Sequence, residues 1–489
     1  MDHAAPGAPG GPLARRRLPL SVVAKPTGAA CNLDCQYCFF LSKELLYDVP
    51  RQLMREETLR TYVAEYLAAS GDGEVTMLWQ GGEPTLRGLP FYREVVRLCE
   101  VYRRPGQKVV HALQTNGTLI DRQWADFLAE NDFLVGVSLD GPPALHDVYR
   151  VNKGGRGTYA LVRRGWDILQ EAGVRTNVLC TVHHANEAHP LEVYRHFRDD
   201  LGARYLQFIP IVERVNAADL ARAELGWGRR RPAPRRAGGT GAGSTGGTGA
   251  SATRPGGPDS PRHSPGDPGS PGDPGSPGGP EPLVPLMYQQ SGDAVTSRSV
   301  TPQGYGDFLT AVFREWVAHD VGDVFVQDVD SALSALFGIY PTCVHAPECG
   351  VNLALEFNGD VYACDHWVEP DWLLGNVADA SFATLAATPR MRDFSAKKRV
   401  QLPGPCRACP VRPLCHGGCP KDRFVRTADG EEMNYLCPGY RAFYTRILPD
   451  LRTMARLIQV GRAPAEIMTL RQRSRPDRAE RLALSTQEH

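Results

Sequence analysis

No stretch of this chain approaches the roughly 18 consecutive apolar residues that a membrane-crossing helix needs, so no membrane span is expected. An excess of charge of one sign is also missing. Lys and Arg number 55 and Asp and Glu number 55, so nothing points to nucleic acid or to an anionic membrane surface. No signal peptide can be read either. The arginines at 15–17 are followed by a short apolar stretch that contains Pro19 and leads straight into a cysteine loop. That pattern reads as a first strand and not as the apolar centre of an export signal. Disulfides need an oxidising compartment, so they are not the expected use of cysteine here. The expectation is a soluble cytoplasmic protein, and 489 residues suffice for two or three domains with sizeable cores.

One segment has almost nothing apolar to bury. From about 229 to 282 the chain is nearly all Gly, Pro, Ser, Thr, Arg, Ala and Asp. It is expected to stay disordered, and its partial S-P-G-D-P-G repeat is low complexity. The cost of closing so long a loop grows only with the logarithm of its length.

What the chain does have is cysteine, with eleven of thirteen in two spaced sets. Cys31, Cys35 and Cys38 form a C-x3-C-x2-C run. Cys343, Cys349, Cys364, Cys406, Cys409, Cys415, Cys419 and Cys437 form the second set. Three thiolates hold three irons of a cubane and leave the fourth open to another ligand, and eight complete two further cubanes at four each. Zinc is a rival for the second set, because C-x2-C and C-x3-C spacings also suit tetrahedral sulfur sites. Cys99 and Cys180 lie in apolar contexts and are expected to be buried small hydrophobes.

Before the low-complexity segment, strand patterns at 20–24, 75–79, 109–114, 134–139, 176–182 and 205–212 alternate with helical patterns. Six βα units in series predict a parallel sheet with helices outside, two units short of a full barrel. In such folds the site gathers at the carboxyl ends of the strands. The cysteine loop follows strand one, Gly81-Gly82-Glu83-Pro84 strand two, Thr115-Asn116-Gly117 strand three and Asp140-Gly141-Pro142 strand four. An open iron beside a glycine-rich strand end calls for a small chelating ligand, such as a methionine-like amino acid. Gly81 and Gly82 would let backbone approach it, and Glu83 with nearby carbonyls would receive its ammonium. Ser138 and Asp140 share a face of strand four, where Asp140 would accept ribose hydroxyls.

The segments "KPTGAACNLDCQYCFF", "WQGGEPTLRGL", "LQTNGTLI", "VGVSLDGPPALHDVYR" and "VYACDHWVEPDWLLGN", with the second cysteine set, carry a resemblance. The chain resembles the radical S-adenosylmethionine enzymes, and among them the anaerobic sulfatase-maturing enzymes, from about 23 to 444 outside the insert. The resemblance implies a partial (β/α)6 barrel with a C-terminal SPASM-like iron–sulfur domain, three [4Fe–4S] clusters and S-adenosyl-L-methionine. It assigns Cys343, Cys349, Cys364 and Cys419 to one auxiliary cluster and Cys406, Cys409, Cys415 and Cys437 to the other. It implies a sulfatase polypeptide as substrate, unfolded or nascent, whose Cys or Ser in a C/S-x-P-x-R segment becomes Cα-formylglycine. An electron donor such as ferredoxin or flavodoxin would serve it, with no nucleic-acid or membrane partner. The family's catalytic base maps to Asp365, with His366 a rival by ordinary pKa alone. His183-His184 and His146-Asp147 are expected to be structural.

The expected domains are a disordered N-terminus at 1–17, the barrel at 18–228, the insert at 229–292 and a helical connection at 293–341. A cluster-bearing domain at 342–445 and a C-terminal helix and tail at 446–489 follow. Two other readings exist. A SPASM-type enzyme acting on a different ribosomal peptide commonly carries a separate leader-binding domain, which is not visible here. A non-enzymatic electron carrier would gain nothing from an open iron.

Overall fold

The computed structural model describes residues 20–47, 52–227 and 290–473. The expectations for 1–17, for nearly all of the insert and for the tail beyond 473 lie outside the described residues.

The six expected strands are present as β1 (Ser21–Ala24), β2 (Gly73–Trp79), β3 (Gln107–Thr115), β4 (Leu134–Ser138), β5 (Arg175–Val182) and β6 (Tyr205–Pro210). All neighbours among them run parallel, as strands joined by helical crossovers must. Next come β7 (Arg214–Val215) and β8 (Ala294–Val295), a short antiparallel ribbon whose two halves flank the insert. After them, β9 (Phe325–Val326) extends the sheet beside β6.

The cysteine-rich C-terminal part joins the same sheet at its other end. There β10 (Asn352–Leu355) lies parallel to β1, from Ser21 opposite Asn352 to Ala24 opposite Leu355. Outside it, β11 (Asp360–Tyr362) and β12 (Leu373–Asn376) continue antiparallel. The order is therefore β12-β11-β10-β1-β2-β3-β4-β5-β6-β9, ten strands where periodicity predicted six. A separate pair, β13 (Arg423–Arg426) and β14 (Glu432–Asn434), stays within the C-terminal part.

Helices cover the sheet with apolar stripes. Helix Glu56–Ala69 buries Leu59, Tyr62, Val63, Tyr66 and Leu67, the three-and-four spacing of an amphipathic helix. Tyr62 meets Trp79 of β2 edge-on at 5.6 Å, and Phe91 and Tyr92 meet it at 5.7 and 5.8 Å, the geometry that the ring quadrupole favours. Cys99 and Cys180 are each 1% exposed within this core, as small hydrophobes would be. Helix Pro302–His319 begins at Thr301, whose hydroxyl accepts from the Gly304 amide at 3.0 Å. Helix Cys437–Gln459 crosses it at Gly306 and Gly439, where a Cβ on Gly306 would lie 2.6 Å from the Gly439 Cα. Only glycine permits so close a crossing.

Both flanks of the insert are fixed. The Trp227 indole donates to the Glu213 carboxylate, which pairs with Arg298 at 2.9 Å, and Arg214 donates to the Gly292 carbonyl at 2.5 Å. Replacing 228–289 by a short Gly/Ser bridge should therefore leave the thermal midpoint and the iron content unchanged. A fall in either would show that the segment contributes to the fold.

A pH effect also follows from packing. The His111 ring is buried and stacks on Phe133 at 4.7 Å, and burial pushes its pKa down to about 4. The folded ring stays neutral while the unfolded one binds a proton below about pH 6.5, so acidification through that window favours unfolding. His111→Phe should reduce the stability lost between pH 7 and pH 5 by about 2 kcal/mol in denaturant titrations. An unchanged pH dependence would show that the ring is hydrated in the folded state.

Candidate active site

The first cysteine loop leaves the end of β1 and is held by backbone. Asp34 and Gln36 donate to the carbonyls of Val151 and Tyr149, and the Cys38 amide donates to Cys35 at 3.0 Å. The Leu33 amide and the Asn116 amide side chain point at the Cys31 sulfur, at 3.3 and 3.7 Å. Burial pushes the Cys31, Cys35 and Cys38 thiols up to about 12, and each is raised further by the charge a neighbouring thiolate of the trio would carry. The three therefore converge. Left to themselves they stay protonated, and a bound cation is what would hold them as thiolates.

Packing against the cysteine loop demands glycine at 82. Its amide hydrogen-bonds the Gly28 carbonyl at 2.9 Å. A Cβ at this position would sit 2.1 Å from the Ala30 carbonyl oxygen, so Gly82 lets the loop after β2 press against the cysteine loop. Gly81 does the same more loosely, at φ 124°, with the Gly28 carbonyl 2.8 Å from its absent Cβ.

Two acidic residues expected at the ligand are turned inward instead. Glu83 is fully buried, and its carboxylate accepts from the Thr85 amide and hydroxyl, the Thr115 hydroxyl and the Asn116 amide at 2.6–3.0 Å. It ties the loop after β2 to the loop after β3. Asp140 is also 0% exposed. Its carboxylate accepts from the Thr181 hydroxyl at 2.5 Å and amide at 3.1 Å, from Tyr37 at 2.5 Å and from Arg150 at 2.8 Å, with His183 at 3.5 Å. Burial opposes its ionisation, but Arg150, His183 and His146 together outweigh this and hold the carboxyl well below its usual range. Ser138, the last residue of β4, is half-buried and is reached by the Gln114 amide at 3.0 Å.

The eight later cysteines separate into two groups. The charges at Cys343, Cys349, Cys364 and Cys419 act on one another, and so do those at Cys406, Cys409, Cys415 and Cys437. The second group lines a single cavity of about 150 Å³ with Met433, Val411 and Tyr440. Among the described residues no three His, Cys, Asp or Glu side chains close on one ion. Tetrahedral zinc would draw its donors to within about 2.3 Å of a single centre, whereas a cubane spreads its thiolates over separate irons. The all-sulfur donor set and the cavity fit the cluster.

Asp365 follows Cys364 and meets the end of β1. The Lys25 ammonium, 0% exposed, lies 2.8 Å from Asp365 and 3.0 Å from Glu356, which follows β10. Burial raises the Asp365 pKa, but Lys25 and His366 overcome this and the carboxyl is held below its ordinary value. Its side chain is 21% exposed, so one side of the carboxylate stays open. Burial keeps His366 below its ordinary pKa, and its carbonyl accepts from the Gln290 amide side chain. His146 and His183 are both fully buried around Asp140, as expected for structural rings. Lys25, Glu356, Tyr37, Arg150 and Thr181 did not emerge from the sequence. The available signal was Lys25 and Tyr37 inside the cysteine-loop motif, where lysine reads as a solvated strand end.

The Radical SAM superfamily matches residues 26–197, and an iron–sulfur cluster-binding domain, SPASM, matches 348–410. A serine-type anaerobic sulfatase-maturating enzyme of Bacteroides thetaiotaomicron is 35% identical over 453 residues, covering 92% of this chain and 94% of the relative. A cysteine-type anaerobic sulfatase-maturating enzyme of Clostridium perfringens is 29% identical over 445 residues, covering 90% of this chain and 100% of the relative. The solved structure described as native anSMEcpe with bound AdoMet and Kp18Cys peptide aligns with TM-score 0.67 at 27% identity, covering 90% of this chain and 99% of that one.

The Asp140 network yields a test. Asp140→Asn should cost about 3–5 kcal/mol in denaturant unfolding, because it leaves the Arg150 charge buried without its partner. A cost below about 1 kcal/mol, in the range of an exposed pair, would mean that the carboxylate is free for a ligand.

Proposed function

The chain belongs to the anaerobic sulfatase-maturating enzymes of the radical SAM superfamily, and we propose that its Asp365 is the proton acceptor in the oxidation of a sulfatase Cys or Ser to Cα-formylglycine. It is a radical S-adenosylmethionine oxidoreductase that acts on a sulfatase segment. The observation that carries the residue-level reading is the meeting of Lys25, from the cysteine-loop strand, with Asp365, from the loop of Cys364, at the β1–β10 junction.

When bound, S-adenosylmethionine and its cluster supply a carbon radical able to take a hydrogen atom from the substrate Cβ, and the auxiliary clusters supply a destination for the second electron. Cys31, Cys35 and Cys38 would hold the first cluster. Cys343, Cys349, Cys364 and Cys419 would hold one auxiliary cluster, and Cys406, Cys409, Cys415 and Cys437 the other. The backbone at Gly81 and Gly82, with Ser138, borders the place of the amino acid and ribose parts of the cofactor, while Glu83 and Asp140 hold the loops around it. Asp365, ionised by its contact with Lys25, takes the proton from the substrate sulfur or oxygen. Residues 18–228 form the radical module, 293–341 the connection and 342–445 the cluster-bearing module. The electron donor is of the ferredoxin or flavodoxin class. Its site of action is the cytoplasm, on nascent sulfatase. Among the described residues no helix is long and apolar enough to cross a membrane.

Asp365→Asn keeps size and polarity but loses basicity. The reconstituted variant should retain about twelve irons per chain, four for each cubane, and should still cleave S-adenosylmethionine. Formylglycine from Cys- and Ser-containing peptides should fall about a hundredfold or more by mass spectrometry, the usual worth of a positioned base. Near-normal aldehyde yield would remove Asp365 from the mechanism. Loss of iron would show that it merely orders the Cys364 loop.

A further inference from the structure

Two cations in the cluster-bearing module are buried with no acidic partner. Lys398 is 0% exposed, and its ammonium donates to the carbonyls of Cys343 and Val344, each at 2.6 Å. Arg423 is 5% exposed, and its guanidinium donates to the carbonyls of Gly417 at 3.2 Å, His416 at 3.0 Å and Lys398 at 2.9 Å. Neither forms an ion pair with any described carboxylate. Asp422, next in sequence to Arg423, pairs with Lys421 at 2.7 Å.

Their placement is specific. Gly417 and His416 belong to the loop 415–419, which runs from Cys415 of one thiol group to Cys419 of the other. Arg423 therefore sits on the only covalent bridge as short as this between the two ligand groups, and it borders the same cavity of about 400 Å³ as Cys349. Lys398 grips the backbone of Cys343. A buried cation without a counter-ion is strongly unfavourable, and carbonyl dipoles compensate it only in part. A [4Fe–4S] cubane with four thiolates carries net negative charge in both of its common oxidation states, so each cluster would supply the missing anion.

We propose that Lys398 and Arg423 are the internal counter-ions of the two auxiliary clusters, with Arg423 shared between them, and that they raise the reduction potentials of those clusters. The inference rests on the reading of the eight cysteines as cluster ligands. A fixed positive charge stabilises the reduced form, which bears one more negative charge than the oxidised form. The clusters thereby become better acceptors for the electron that leaves the substrate.

The test is potentiometric titration of the reconstituted holoenzyme, followed by electron paramagnetic resonance. Arg423→Gln keeps hydrogen-bond donors and removes the charge, Arg423→Lys keeps the charge and loses the fork, and Lys398→Met removes the other cation. Arg423→Gln should shift the reduction equilibrium of both auxiliary clusters at least about tenfold toward the oxidised form, or about 59 mV for one electron. Lys398→Met should shift chiefly the cluster of Cys343, Arg423→Lys neither, and the cluster of Cys31, Cys35 and Cys38 should stay put in all three. If Arg423→Gln fails to assemble auxiliary clusters while Arg423→Lys assembles them, charge is still the determinant. Unmoved potentials in Arg423→Gln and Lys398→Met would overturn the proposal, as would equal failure of Arg423→Gln and Arg423→Lys. Wild-type protein with about four irons and zinc in place of the rest would instead sink the reading of the cysteines on which the proposal stands.

Discussion

The Lys25 ammonium is the point on which the two halves of the site are joined. It stands one residue beyond β1, with no exposed surface, and both of its carboxylate partners come from more than three hundred residues downstream in the chain. The pairing of Ala24 with Leu355 places Lys25 beside Glu356, and the turn after β11 brings Asp365 to the same nitrogen. Phe40 closes the pocket with its ring centroid 5.1 Å from that nitrogen. A buried charge deprived of a partner costs several kcal/mol, so the triad opposes any slip of β10 along β1. A one-residue slip would also reverse every side chain of β10 between the faces of the sheet. The distance from the cysteine loop to Asp365 is thus fixed by a strand register and locked by charge.

The same economy governs the acids after β2 and β4. Glu83 and Asp140 look like ligand contacts because they stand at strand ends, where ligands bind in such folds. Both are instead consumed in fastening loops. Glu83 joins the loops after β2 and β3, while Asp140 joins Tyr37 of the cysteine loop to Arg150 and Thr181. A buried carboxylate that accepts four hydrogen bonds is worth keeping only if each donor stays in place, so these two residues stiffen the frame around the cofactor. The backbone at Gly81 and Gly82 and the half-buried Ser138 hydroxyl take no part in these carboxylate networks and carry no charge.

What the sequence made legible was local. Each of the six strands had a Val-, Leu- or Ile-rich run bounded by turn residues, and the cysteine spacings needed no structure to be noticed. What it hid was non-local or directional. β10 to β12 are three or four residues each, too short for periodicity, and they find their places by pairing with β1 across the whole chain. The side-chain direction of Asp140 depends on Arg150 and Thr181 arriving from two other segments. Lys25 reads as a solvated lysine until Glu356 and Asp365 are brought to it. Period two put Ser138 and Asp140 on one face, but β4 ends at Ser138, and beyond the strand end Asp140 takes its direction from its own partners.

The low basicity of Asp365 is compatible with the role proposed for it. A carboxylate paired with a buried ammonium is a poor base for an ordinary thiol near pKa 8.5, and poorer still for a hydroxyl. The proton to be moved is not an ordinary one. Once a hydrogen atom has left Cβ, the adjacent S–H or O–H is far more acidic, because the electron it leaves behind enters the forming double bond to sulfur or oxygen and completes an oxidation. The base then needs to be ionised and in place more than it needs to be strong. Lys25 serves both needs, since it keeps Asp365 charged and aims it.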